Sequence, residues 1–154
     1  MAQFDPADDV DNAANTLIQL NHDIRSSATA LIQECDAGTV NVYNLAIHYL
    51  KNLLNRQAAW ASLSAVSGVQ AAIRARHPNK FADDAAVTAA LSARSAALAA
   101  HVTQVDTGLP KDASGWMEIE RYVSGALTRR TNSNAGQIAT LRANTVTLRD
   151  AFAV

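Results

Sequence analysis

A narrow stripe of apolar residues runs along the first quarter of the chain. Its members follow one another at steps of three or four positions: Val10, Ala14, Leu17, Leu20, Ile24, Ala28, Leu31 and Cys35. This spacing places side chains on one face of an α-helix, whereas a β-strand would need steps of two. The stripe therefore predicts one long helix that packs its apolar face against other helices.

Residues at both ends of the stripe predict where this helix begins and ends. Asp5 offers a capping side chain, and Pro6 suits the first helical position, where its missing N–H removes no hydrogen bond. Gly38 follows the stripe and is the residue type expected just past a helix C-terminus. We therefore expect the helix to begin at Pro6 and to end shortly before Gly38.

Two more helices are predicted in the middle of the chain. The first is capped by Asn41 and runs from Val42 to about Leu63. Its apolar residues cover more than one face, so we expect it to be the most buried element and the centre of the bundle. A short helix or turn is predicted over Val69–Arg76, and it stops before Pro78.

The C-terminal half holds two further predicted helices. Asp83 or Asp84 caps the first, which runs to about Val105 and carries many alanines that favour close helix packing. Ser133 can cap the last helix, whose apolar residues continue to Phe152. A length of 154 residues suits one domain. We predict a single, mainly α domain over residues 1–154, an antiparallel bundle of four to five helices.

The stretch from residue 106 to residue 132 departs from the helical pattern. Residues 107–115 are rich in Gly, Pro, Asp and Ser, and residues 116–123 alternate between two faces. A turn at positions 124 and 125 would lead into a return strand, so we predict a small hairpin-like insertion at about 107–132. The local pattern also allows a short helix with Ile119, Val123 and Leu127 on one side. An isolated hairpin is marginally stable, so we expect this one to lean on helices or on a neighbouring chain.

Charge is unevenly distributed along the chain. Residues 1–36 hold seven acidic residues and one arginine, a net charge of −6, whereas residues 37–154 hold twelve basic and seven acidic residues, a net charge of +5. Two interpretations are open. The charged residues can simply lie on solvent-exposed helix faces. Alternatively, they can direct head-to-tail contacts between copies of the chain in a ring.

Cys35 is the only cysteine, so the sequence predicts neither an internal disulfide nor a thiolate metal cluster. We expect it to be a small buried residue. The N-terminus lacks the basic region and long apolar run of a secretory signal, and no stretch approaches the roughly 20 apolar residues of a membrane span. These features predict a reducing, aqueous compartment and no membrane partner.

No arrangement of residues predicts catalysis or metal binding. The four histidines stand on separate predicted elements without metal-ligand spacing, and each is expected to be a surface or partly buried structural residue: His22, His48, His77 and His101. The glycines fall at predicted breaks or caps, not in a phosphate-binding or dinucleotide-binding loop. We therefore predict no enzymatic activity, no catalytic or metal-binding residue, no cofactor and no small-molecule substrate.

Aromatic and basic residues come together in the predicted hairpin, at Trp116, Arg121, Tyr122, Arg129 and Arg130. Such a set can stack bases and neutralise phosphates of nucleic acid. The same residue types are enriched at the energetic centres of protein interfaces. A net charge of −1 supplies no overall attraction to nucleic acid, so we expect protein contact here.

Residues 109–116, with the sequence Leu-Pro-Lys-Asp-Ala-Ser-Gly-Trp, resemble a signature of uncharacterised virion-region proteins of tailed bacteriophages. That signature has an apolar residue, Pro-Lys-Asp, two variable positions, a glycine and an aromatic residue. Residues 137–142 are similar to the family's Gln-x-Ala-x-Leu-Arg, and residues 66–69 resemble its Val-Pro-Gly-Ile break, with Ser67 where proline is usual. The resemblance covers roughly residues 15–152 in order.

The resemblance implies a structural component of a tailed-phage virion with no known activity. Our own leading hypothesis is that this component is non-enzymatic, made in the host bacterial cytoplasm and assembled in several copies. The head–tail junction (neck, connector or adaptor) and the tail are the expected places. A capsid decoration protein and a small nucleic-acid-binding regulatory protein are the alternatives. The expected partners are copies of the chain and other virion proteins, through an interface with these candidates: Pro110, Lys111, Asp112, Trp116, Arg121, Tyr122, Arg129 and Arg130.

Overall fold

The computed structural model describes residues 6–40, 44–108 and 135–153. Its elements are α1 (Pro6–Ala37), a π-helical segment (Leu45–Leu50) that continues directly as α2 (Lys51–Ser64), α3 (Val69–Arg76), α4 (Asp84–Gly108) and α5 (Ala135–Ala151). The described ranges contain no strand, and the chain is a mainly α-helical bundle, as predicted. The predicted hairpin lies outside the described residues from position 109 onward. Its first two positions, Thr107 and Gly108, belong to the last turn of α4.

The first helix, not the second, is the centre of the bundle. α1 packs against α2, α3 and α5. It contributes the longest run of buried residues: Ala13, Ala14, Leu17, Ile24, Ala28, Leu31, Ile32 and Cys35. By contrast, α2 buries Leu53 and Trp60 and leaves Leu54 46% exposed. The prediction that the second helix is the most buried element was wrong, because its apolar residues on several faces do not all meet a neighbouring helix.

The chain leaves α1 through a Schellman turn at Gly38. Gly38 has a φ of +71°, a left-handed conformation that favours glycine. The N–H groups of Gly38 and Thr39 donate to the carbonyls of Cys35 and Glu34 at 3.3 Å and 3.0 Å. These bonds satisfy carbonyl groups that the helix end would otherwise leave free. The prediction that α1 ends shortly before Gly38 is therefore confirmed.

A tight turn connects α2 to α3 at residues 66–69. The N–H of Val69 donates to the carbonyl of Val66 at 3.2 Å, and Gly68 has φ +86° and ψ −1°. These are the values of the third residue of a type II turn, a position that favours glycine and is commonly preceded by proline. Ser67 occupies that preceding position. The glycine is required by the backbone conformation, whereas the serine is one of several residues the turn would accept.

Trp60 and Phe152 join the helices at the centre of the core. The two rings meet edge to face, with centroids 5.2 Å apart, and both are almost fully buried. The indole Nε1–H of Trp60 donates to the carbonyl of Leu91 at 3.1 Å, and the amide of Asn21 donates to the carbonyl of Phe152 at 3.1 Å. These contacts connect α1, α2, α4 and the residue that follows α5.

α4 is longer than predicted. The helix begins at Asp84, directly after the predicted cap residue Asp83, whose carboxylate accepts a hydrogen bond from the Ala86 N–H at 2.8 Å. It ends at Gly108 instead of Val105. By length and composition alone, the stretch Asp84–Thr107 would be long and apolar enough to cross a membrane, contrary to the expectation from the sequence. Its hydropathy comes from alanine, valine and leucine, and 22% of the stretch is buried inside the bundle.

Candidate functional site

All eight interface candidates predicted from the sequence fall between positions 109 and 134, outside the described residues. The structure does describe the helices that this segment connects. Val105 in the last turns of α4 packs in one cluster with Leu141 in the first half of α5. The helix positions that flank the signature segment therefore lie at the same end of the bundle.

Small uncharged side chains form an exposed stripe along α4. We call this stripe the small-residue face: Ala85, Ala89, Ser92, Ala96, Ala99 and Thr103. Its members recur at steps of three and four, so they follow one side of the helix for about 27 Å at about 1.5 Å per residue. The charged residues of α4 lie elsewhere. Asp84 and Asp106 flank the stripe, and Arg94 points to the opposite side, against the Phe152 ring.

The small-residue face differs from the exposed side of the central helix. The exposed positions of α1 include Asp9, Asp11, Arg25, Glu34 and Asp36, the charged pattern normal for a solvated helix face. Depletion of charge is instead a property of the buried centre of protein interfaces. Small side chains also let a second helix approach closely. The spacing of these residues is visible in the sequence, but the sequence analysis did not single them out as an exposed face.

Part of the charge asymmetry is used within the chain. The Arg76 guanidinium lies 3.2 Å from the carboxylate of Asp11, and that of Arg142 lies 2.6 Å from the carboxylate of Asp36. The Arg142 side chain holds the pKa of Asp36 below its usual value, chiefly through their hydrogen bond. Acidic residues of α1 thus meet basic residues of α3 and α5 in the same molecule, which leaves less charge for head-to-tail contacts.

A buried tyrosine–histidine pair links the π-helical segment to α4. The Tyr49 hydroxyl lies 2.7 Å from Nε2 of His101, and the rings meet edge to face with centroids 5.7 Å apart. His101 is 1% exposed, so the prediction of a surface or partly buried histidine was wrong at this position. Burial lowers the pKa of His101 to about 4 and raises that of Tyr49. No pattern in the sequence pairs positions 52 residues apart, so the pair was not predicted.

Within ranges 6–40, 44–108 and 135–153, no group of three or more His, Cys, Asp or Glu side chains could hold a metal ion. His101 is buried in the bundle, and Tyr49 is partly buried. Cys35 is buried, as expected, and burial raises the pKa of its thiol. This environment disfavours the reactive thiolate.

Comparison of the chain with protein-family models, with curated proteins and with solved structures found no match.

Proposed function

We propose that the chain is a non-enzymatic structural component of a tailed-phage virion that assembles in several copies, at the head–tail junction or in the tail. The resemblance of residues 109–116 and 137–142 to phage virion-region proteins motivates the virion assignment. The small-residue face of α4 is the structural observation that supports assembly. It is an uncharged helix surface about 27 Å long, suited to close contact with a helix of another subunit.

The small-residue face and the signature segment are neighbours along the chain. α4 ends at Gly108, and the signature begins at the next residue. A subunit docked along α4 would therefore approach the chain where the signature starts. In this proposal the bundle is the scaffold, and α4 together with the interface candidates of the following segment forms the contact surface.

The assembly step can be tested with two matched substitutions. Ala96→Glu places a charge in the middle of the small-residue face, whereas Ala58→Glu places the same charge at an exposed position of α2. Sedimentation velocity over a range of concentrations should show oligomers for the unchanged chain and for Ala58→Glu. Ala96→Glu should shift the population to monomers, because a carboxylate buried in an interface without a cation is strongly unfavourable.

The virion assignment needs a second measurement. Mass spectrometry of purified particles of the phage that encodes the chain should detect it in several copies per particle, and a particle map should place it at the neck or tail. Location on the capsid surface would support the decoration protein instead. A chain that stays monomeric and is missing from particles would contradict the proposal. DNA binding that weakens steeply with salt would instead favour the nucleic-acid-binding alternative.

A further inference from the structure

A cavity of about 350 Å³ opens between the first four helices and the connection that precedes α4. Its walls include five apolar side chains that are each less than a tenth exposed: Leu17, Trp60, Ile73, Val87 and Leu91. At the roughly 30 Å³ that one water occupies in the liquid, the space corresponds to about a dozen water-sized groups. This is the lower end of the size range of small-molecule sites.

The polar side chains at this cavity include cations but no carboxylate. Lys80 and Arg94 both line it, and so do the imidazoles of His22 and His77. No Asp or Glu is among the lining residues of the described cavity. A pocket with apolar walls and positive charge at one side has the chemistry to bind an amphipathic anion.

Arg94 has no carboxylate partner within the described ranges, in contrast to four other arginines. Arg74, Arg76, Arg142 and Arg149 each lie within 3.2 Å of an Asp oxygen. The Arg94 Nη2 instead donates to the carbonyl of Ala153 at 2.8 Å, and its Nε is buried without a hydrogen-bond acceptor among the described residues. A buried donor without an acceptor is unfavourable, so the charge of Arg94 is only partly compensated by the protein.

The charge of Arg94 also acts on Lys80. Burial lowers the pKa of Arg94, and burial together with the nearby charge of Arg94 lowers the pKa of Lys80. Both changes mean that the protein disfavours these positive charges where they stand. A negative group close to both side chains would favour their charged forms, because opposite charges attract.

We propose that this cavity binds a small organic carboxylate whose apolar body lies against Trp60 and Leu91 and whose carboxylate contacts Arg94 and Lys80. This ligand site is separate from the small-residue face, and it does not depend on the virion assignment. The ligand is held and not transformed, since the residues that line the cavity include no nucleophile positioned by a base.

Octanoate and octan-1-ol are suitable probes because they share an eight-carbon chain and differ in charge. Two-dimensional NMR of the full chain would follow the indole N–H of Trp60 and the Nε–H of Arg94 during titration with each probe. Octanoate should shift both signals in a saturable manner. Octan-1-ol should bind at least tenfold more weakly and should leave the Arg94 signal nearly unchanged.

Three charge-removing variants assign the effect to the cavity. Arg94→Met and Lys80→Met should each weaken octanoate binding at least fivefold and change octan-1-ol binding little. Arg74→Met removes the same charge from the Arg74–Asp84 surface pair, outside the cavity, and should leave octanoate affinity within about twofold. Lys80 is exposed on a connection between helices, so its variant keeps the test informative if Arg94→Met does not fold.

Three results would overturn the proposal. Octanoate could fail to saturate the Trp60 and Arg94 signals at millimolar concentration. Octanoate and octan-1-ol could bind equally well, which would mean that the cations take no part. Arg74→Met could weaken octanoate binding as much as Lys80→Met does, which would indicate a general effect of net charge instead of a site.

Discussion

The hydroxyl of Tyr49 and the Nε2 atom of His101 lie 2.7 Å apart inside the bundle, and they connect the π-helical segment to α4. The other ring nitrogen of His101, Nδ1, is buried without a hydrogen-bond partner in the described part of the chain. The tyrosine hydroxyl is therefore the group that satisfies the imidazole. Loss of this bond would leave a buried polar ring with neither nitrogen paired.

Tyr49→Phe should lower the free energy of unfolding by about 1–3 kcal/mol, the usual effect of leaving a buried polar group unpaired. Urea denaturation at pH 7 measures the change. The double variant Tyr49→Phe/His101→Leu should recover part of the loss, because removing both polar partners leaves no unpaired group. A double variant that loses more free energy of unfolding than the two single variants lose together would contradict this account of the pair.

Acidic pH should destabilise the fold through His101. Its pKa is lowered to about 4 in the folded chain, against about 6.5 when unfolded, so between these values the unfolded state binds more protons. The contribution of His101 to the free energy of unfolding is fully present above pH 6.5. It is lost as the pH falls toward 4, and the total loss is on the order of 3 kcal/mol. Urea denaturation at pH 7 and pH 5 measures how much the free energy of unfolding falls with pH. This fall should be smaller in Tyr49→Phe/His101→Leu than in the unchanged chain. An equal difference would assign the acid sensitivity to other groups.

Phe152→Ala should be among the most destabilising single substitutions, at about 3–5 kcal/mol, since it removes a fully buried ring and leaves a cavity beside Trp60. Thermal unfolding followed by circular dichroism would show a large fall in Tm. Leu54→Ala is a suitable control, because Leu54 is 46% exposed on the same helix as Trp60. Its Tm should fall only slightly, and comparable losses in both variants would argue against the described core.

The turn between α2 and α3 predicts opposite effects at two adjacent positions. Ser67→Pro should stabilise the chain by about 0.4–1 kcal/mol, because proline suits the second position of a type II turn and restricts the unfolded chain. Gly68→Ala should destabilise it by about 1–2 kcal/mol, since φ is +86° there. Space is not the cause, because an added Cβ would lie no closer than 3.8 Å to Val10.

Urea denaturation of both turn variants measures these effects. Destabilisation by Ser67→Pro would mean that position 67 has a backbone conformation that proline cannot adopt. That result would argue against a type II turn and against a structural equivalence between this break and the Val-Pro-Gly-Ile break that it resembles.

The sequence by itself predicted that the chain is mainly α-helical and where several helices begin and end. Steps of three and four along α1, the cap at Asp83 and the glycine at position 38 act over a few neighbouring residues, and such local preferences can be read from the chain directly. A short helix or turn was predicted over Val69–Arg76, and the structure has a helix there. The hairpin-like insertion was wrong at Thr107 and Gly108, which are helical. From position 109 onward the insertion and its eight interface candidates remain predictions, since they lie outside the described residues.

Only the tertiary structure decided which helix became the centre, which histidine was buried and where a cavity formed. These properties depend on partners far apart in the chain, such as Tyr49 with His101 and Arg94 with Phe152, and local spacing carries no information about them. The alanines of α4 illustrate the limit. Their periodicity predicts a helix with small residues on its faces, but only packing determines which of those faces meets the core and which stays exposed.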